Sequence, residues 1–183
     1  MEAIRTYVRQ ACERKENIFG SAFYERHLAE VAKWAAKLSE SLHADYETVE
    51  LASYLHDLSA VLDATTISNH SQASAVLATE LLRQMGASSM LQDRVARAIR
   101  SHSDPLPMDG GPLESVCLSN ADAMARISQP AYWLCFVFSV RNLGFEEGRL
   151  WLRTLVERHW QLMIPPARDL IAGQYDFVLK LLA

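Results

Sequence analysis

Six histidines punctuate the chain, and four of them fall where a metal ion or a reacting group could use them. His27 shares a helical spacing with Phe23, Val31, Trp34 and Leu38, so it belongs to an apolar face. Partial desolvation there disfavours a protonated imidazole and leaves a lone pair free. His56 and Asp57 are adjacent within ASYLHDLSAVL. Neighbours on a helix point about 100° apart, so this pair cannot chelate as residues one turn apart do. The pair can instead flank one ion, or one member can reach towards a second. His70 opens a helix after a polar stretch, and His102 follows the end of another. Asp122 sits in LSNADAMARI among small apolar residues, where an unanswered carboxylate is costly. The answer is either a metal ion or Arg126, one turn further along the same face.

Taken singly, each residue has a plainer explanation. His27 fits a hydrogen-bonded core histidine, and a His-Asp dipeptide arises readily by chance. His70 fits a first helical residue, His102 a loop residue, and Asp122 a partner for Arg126. His43, near a helix end that suits its charge, and His159, in the amphipathic stretch VERHWQ, receive no function. Order and spacing taken together shift the balance towards a site.

Helices must position these groups. Ile4, Tyr7 and Ala11 mark a short amphipathic opening helix, and residues 21–42 a second one. Asp45 is placed as the N-cap of a helix running to about Leu62, with Val49, Ala52, Ser53, His56 and Ala60 inward. DATTISN reads as a loop, with Asn69 capping a helix that Gly86 ends. Another helix covers about Ser88 to Arg100, where Arg94, Arg97 and Arg100 form a solvated stripe. SHSDPLPMDGGP is the clearest loop. Helices follow at about Leu113 to Ile127, Pro130 to Asn142, Phe145 to Met163 and Pro166 to Leu182. No strand shows convincing alternation. The expected fold is an all-α bundle of about eight or nine helices.

Composition agrees with one folded domain over 1–183. Half the residues are apolar and 22% are charged, which supplies a core and disfavours disorder. The net charge of -4 argues against nucleic-acid binding, so an anionic substrate needs local cations. Three scattered cysteines without a CxxC pair suggest reduced thiols rather than disulfides or a zinc ribbon. The N-terminal segment lacks an apolar signal core. The apolar run Ala131 to Val140 is about half the ~20 residues of a membrane span and reads as a buried helix. A soluble cytoplasmic protein is expected.

The ordered set of His27, His56-Asp57, His70, His102 and Asp122 resembles the HD superfamily of metal-dependent phosphohydrolases. ELASYLHDLS resembles the family's apolar lead into its doublet, and HSQASAVLATELLRQMG the helix after its third histidine. VARAIRSHS and SNADAMARI resemble the segments carrying its fourth histidine and last aspartate. The likeness covers about Tyr24 to Ile127. Residues from about 130 to 183 resemble the extension of small stand-alone bacterial members. The chain departs from the family at Leu58-Ser59, where many members have glycine and often lysine, and at Ser103, where a second histidine is common. It also lacks a GYP motif, which disfavours the cyclic-dinucleotide branch.

The resemblance implies that His27, His56, Asp57 and Asp122 hold one divalent ion. His70 and His102 serve a second, with Asp57 bridging. Mixed imidazole and carboxylate ligands suit manganese, iron, nickel, cobalt or zinc better than magnesium. It further implies hydrolysis of a phosphate ester, nucleotides included, by water activated at Asp57 and its ion. Arg26 and Arg126 are the candidate phosphate contacts. The expected partner is a small phosphorylated molecule rather than nucleic acid or membrane, and a homodimer fits the same reading. Two alternatives stay open: a non-catalytic metal- or nucleotide-binding regulator, and a di-iron oxygenase.

Overall fold

The computed structural model describes residues 1–183, all of whose regular structure is helical. Apolar residues at three- and four-residue steps generate ten α-helices, one of them only five residues long. In α1 (Glu2–Cys12) the buried face is Ile4, Val8, Ala11 and Cys12. Tyr7, expected inside, is 41% exposed, because the inner stripe runs through Val8. A π-helical turn, Tyr24–Leu28, leads directly into α2 (Ala29–Leu42). Phe23, His27, Val31, Trp34 and Leu38 are all buried, as their spacing suggests.

The helix expected from Asp45 to Leu62 is two. Asp45 caps α3 (Tyr46–Leu55) by accepting from the Thr48 amide at 3.2 Å. The chain leaves helical geometry at Asp57 (φ -107°, ψ 10°) before α4 (Leu58–Leu62). DATTISN is not a plain loop, since Ala64–Asn69 form a 3₁₀ segment led by Asp63, whose carboxylate accepts from the Thr65 amide. Asn69 stands at the N-cap of α5 (His70–Gln84), but its side chain caps nothing. Gly86 ends α5 in the left-handed region (φ +78°), with the Ala87 amide donating to the Leu82 carbonyl.

α6 (Ser89–Arg100) is capped by Ser88 and packs along α5. The Ser101–Pro112 segment is a loop, held to α7 (Leu113–Ser128) by Asn120, whose amide group donates to the Leu106 carbonyl. Asn120 Oδ1 accepts from the Ile164 amide at 3.0 Å, tying the C-terminal helices to the same point. α3 and α7 are buried along almost their whole length, and α2, α6, α9 and α10 lie against α7.

α8 (Pro130–Ser139), α9 (Phe145–Leu162) and α10 (Pro165–Leu181) complete the bundle. The expectation of a fully buried helix at Ala131 to Val140 does not hold. Only Trp133 and Val137 of α8 are buried, because α8 is covered by α7 and α9 on one side. No helix is long and apolar enough to cross a membrane. The three cysteines are free, with Cys135 exposed.

Candidate metal centre

Five separate pieces of chain deliver the six proposed ligands. His27 comes from the π turn, whose extra residue resets the helical phase. His56 and Asp57 come from the break between α3 and α4, which frees the doublet from the 100° divergence of helix neighbours. His70 is the first residue of α5, His102 follows α6, and Asp122 lies in the middle of α7. His27, His56, His102 and Asp122 are fully buried, and Asp57 nearly so.

Asp57 stands between two groups of imidazoles. Its Oδ2 lies 3.3 Å from His27 Nε2 and 3.2 Å from His56 Nε2. Its Oδ1 lies 3.4 Å from His70 Nε2 and 3.6 Å from His102 Nε2. Asp122 Oδ1 closes the first group, 3.2 Å from His27 Nε2 and 3.8 Å from His56 Nε2.

For three of the four rings the backbone fixes which nitrogen is presented, whereas His27 Nδ1 has no partner. His56, His70 and His102 donate from Nδ1 to the carbonyls of Ser53, Ile67 and Ile99, at 2.9, 2.8 and 2.6 Å. A carbonyl only accepts, so each Nδ1 keeps its proton and each ring turns Nε2 inwards, where it can bear a lone pair for an ion or a proton for Asp57. His70 Nε2 and His102 Nε2 are then 3.1 Å apart, so the two cannot both carry a proton. His27 Nε2 and His56 Nε2 are 3.3 Å apart. A proton or a cation between such nitrogens relieves their repulsion. The donor set therefore fits a divalent ion, and three overlapping His/Asp groups could hold one.

Electrostatics point the same way. Burial opposes a charge on His27, but its contacts with Asp122 and Asp57 outweigh burial and raise its pKa. Burial likewise opposes the charge on Asp57, yet His56, His102 and His27 hold its carboxyl well below the usual range. Asp122 is held low as well, against burial, by Arg126 and His27. Burial lowers the pKa of His70. The pocket thus favours positive charge at its centre, which a metal ion supplies without a proton.

The family departures have structural roles here. Ser59 Oγ donates to the His70 carbonyl at 3.1 Å, and the Ser59 amide donates to Ser74 Oγ, so α4 is clamped to α5. Ser103 Oγ meets Ser71 Oγ at 2.9 Å, joining the two segments that carry His102 and His70.

The two candidate arginines are placed differently. Arg126 Nη1 lies 2.6 Å from Asp122 Oδ2, so the local ion pair forms. Arg126 takes Oδ2 alone, and Oδ1 remains turned to His27 and His56. Arg126 also lines a cavity of about 410 Å³ that opens beside Asp57 and His70. Arg26 is exposed and does not line that cavity. The stripe of Arg94, Arg97 and Arg100 is exposed, with Arg94 3.7 Å from Asp45.

The other cavity residues come mainly from the C-terminal helices: Trp133, Phe136, Arg141, Trp151, Arg158 and His159. The sequence reading assigned none of them a role. His159 is 1% exposed, not a surface residue of an ordinary amphipathic stretch. Its signal was present, since Gly148, Leu152, Val156 and His159 share one inward stripe of α9.

A family model for the HD domain matches residues 24–127. The chain therefore belongs to the HD domain family. Its fold is similar to that of a predicted HD superfamily hydrolase from an uncultured Thermotogales bacterium, with 24% identity and a TM-score of 0.61 over 94% of this chain and 92% of that one. It is also similar to Bacillus subtilis YpgQ, solved in complex with ADP, with 23% identity and a TM-score of 0.73 over 98% of this chain and 92% of that one. No curated protein matches the chain.

Proposed function

We propose that the protein is a metal-dependent phosphohydrolase acting on a small phosphate ester, with nucleotides as the first substrates to test. The observation that carries this reading is Asp57, whose two oxygens face two histidine sets beside an open cavity. His27, His56, Asp57 and Asp122 would hold one divalent ion, and His70 and His102 a second with Asp57 between them. Manganese, iron, nickel, cobalt and zinc suit these donors. When bound, such an ion supplies a water acidic enough to act as nucleophile near neutral pH, and it stabilises charge on a phosphoryl oxygen.

The chain's own residues do the rest. Asp57, kept ionised by its histidines, holds the centre at the cavity floor. The carbonyls of Ser53, Ile67 and Ile99 keep the imidazoles oriented. Arg126 places positive charge where the phosphoryl group gains negative charge. Phe136 and Trp151 give the cavity an aromatic surface that suits a nucleobase. The ADP complex of YpgQ, a protein of similar fold, supports the choice of nucleotides.

The test is hydrolysis of phosphomonoesters, phosphodiesters and nucleotides by manganese-, nickel-, zinc- or iron-loaded protein, wild type against Asp57→Ala. Wild-type turnover is expected. Its loss in Asp57→Ala should exceed the roughly 10- to 100-fold typical for removing an outer-shell partner. Circular dichroism should show both proteins folded. Equal activity in the two would remove Asp57 from the mechanism, and no turnover in any metal-loaded wild-type sample would overturn the hydrolase reading.

A further inference from the structure

The wall contributed by α8 and α9 holds two buried ring nitrogens with no partner in the protein, Trp133 Nε1 and His159 Nδ1. Both residues line the cavity that opens at Asp57 and His70. Four other polar residues of that cavity have partners: Arg158 pairs with Asp104 at 2.5 Å, Arg126 pairs with Asp122, Ser103 meets Ser71, and His70 donates to the Ile67 carbonyl. An unmade hydrogen bond on a buried group costs roughly 1–3 kcal/mol, so two such groups on one cavity wall call for a ligand.

We propose that Trp133 and His159 form a subsite for the substrate's phosphoryl oxygens, supplied wholly by the C-terminal helices. The indole Nε1 can only donate, and His159 Nδ1 donates in one of the two tautomers of an uncharged imidazole, so with that tautomer the pair matches a group that only accepts. Phosphoryl oxygens accept and do not donate. Both residues also sit near Arg126. Its guanidinium lies 5.7 Å from the Trp133 ring centre, and burial and then the Arg126 charge hold His159 uncharged, with its pKa pushed down to about 3. Trp133 also packs edge-on against His27, with ring centres 5.3 Å apart, which links this wall to the candidate metal centre. An oxyanion reaching this wall selects the Nδ1–H tautomer of His159 and meets two neutral donors and one cation.

The inference rests on the phosphate-ester reading of the cavity, but binding tests it without turnover. Calorimetry on manganese-loaded protein would compare inorganic phosphate, ADP and adenosine for wild type, W133F, H159F and H159N. W133F and H159F remove one donor each while keeping a ring, and H159N returns an amide near the Nδ1 position. Phosphate and ADP should bind about tenfold more weakly to W133F and to H159F, the scale of a hydrogen bond to a charged acceptor. H159N should recover part of the loss, adenosine should be unaffected, and metal content should stay at the wild-type value. If H159F does not fold, W133F carries the comparison. Wild-type affinities in the variants would overturn the subsite, as would equal losses for adenosine and ADP, or a wild type that binds neither phosphate nor ADP. Binding that depends on these donors without hydrolysis would keep the subsite and remove the phosphohydrolase reading.

Discussion

Asp57 is placed differently from the other five candidate ligands. Each histidine presents one nitrogen, whereas Asp57 turns one oxygen to each histidine set, so its loss disconnects the two halves of the site. His159 is the contrasting case, a titratable residue whose burial shows in stability. Its native pKa of about 3 lies below the ordinary histidine value of about 6.5. Between those values the unfolded chain binds the extra proton, so stability rises with pH and is lost as pH falls below about 6.5. Each unmatched proton gives a slope of up to about 1.4 kcal/mol per pH unit. H159F should flatten this loss in urea titrations of metal-free protein between pH 7 and 5. It should not abolish the loss, since His70 shifts in the same direction. Equal slopes in variant and wild type would refute the burial argument. At this scale the sequence was informative about His27, the doublet, His70, His102 and Asp122, because their order resembles a known pattern. A lone histidine such as His159 carries no such pattern, and Trp133 is indistinguishable from a core tryptophan until its indole N–H is seen without a partner.

Elements position these residues through their interruptions. The π turn at His27 and the break at Asp57 both fall on candidate ligands, and neither was legible in the sequence. Helical periodicity looks the same whether the chain runs on or breaks for two residues, and packing against α1 and α5 settles which occurs. Punctuation with its own chemistry was legible: the Asp45 cap, the Gly86 stop and the proline-glycine loop. Gly86→Ala should therefore cost about 1 kcal/mol by denaturant melts, since a side chain at φ +78° is strained. A larger effect is expected where α8 and α9 close on each other. A Cβ at Gly148 would lie 2.6 Å from the Phe138 ring and 2.7 Å from Val137 Cγ1. Gly148→Ala should destabilise the protein by about 1–3 kcal/mol and weaken ADP binding, because it pushes apart the helices bearing Trp133 and His159. Metal content should be unchanged, the ligands lying on other elements. Wild-type stability and ADP affinity in this variant would contradict the packing described here.

The whole molecule divides its labour along the chain. Residues 24–127 supply every candidate ligand, and α8, α9 and the turn between them supply about half of the cavity lining. This division explains why a net charge of -4 is compatible with an anionic substrate, since Arg126, Arg141 and Arg158 all line one cavity. The ligand half also has the most to gain from an ion. Removing metal should lower the melting temperature, because a ligand bound only by the native state stabilises it by about 2.7 kcal/mol at a hundredfold excess over Kd. For a chain of this size that is roughly 5–10 °C in a thermal melt. The most direct measurement is elemental analysis of wild-type protein prepared without chelator and then offered manganese, iron, nickel and zinc. The account predicts one or two transition-metal ions per chain, and fewer in Asp57→Ala purified identically. Wild-type protein that retains none of these ions, and melts at the same temperature with and without them, would contradict it.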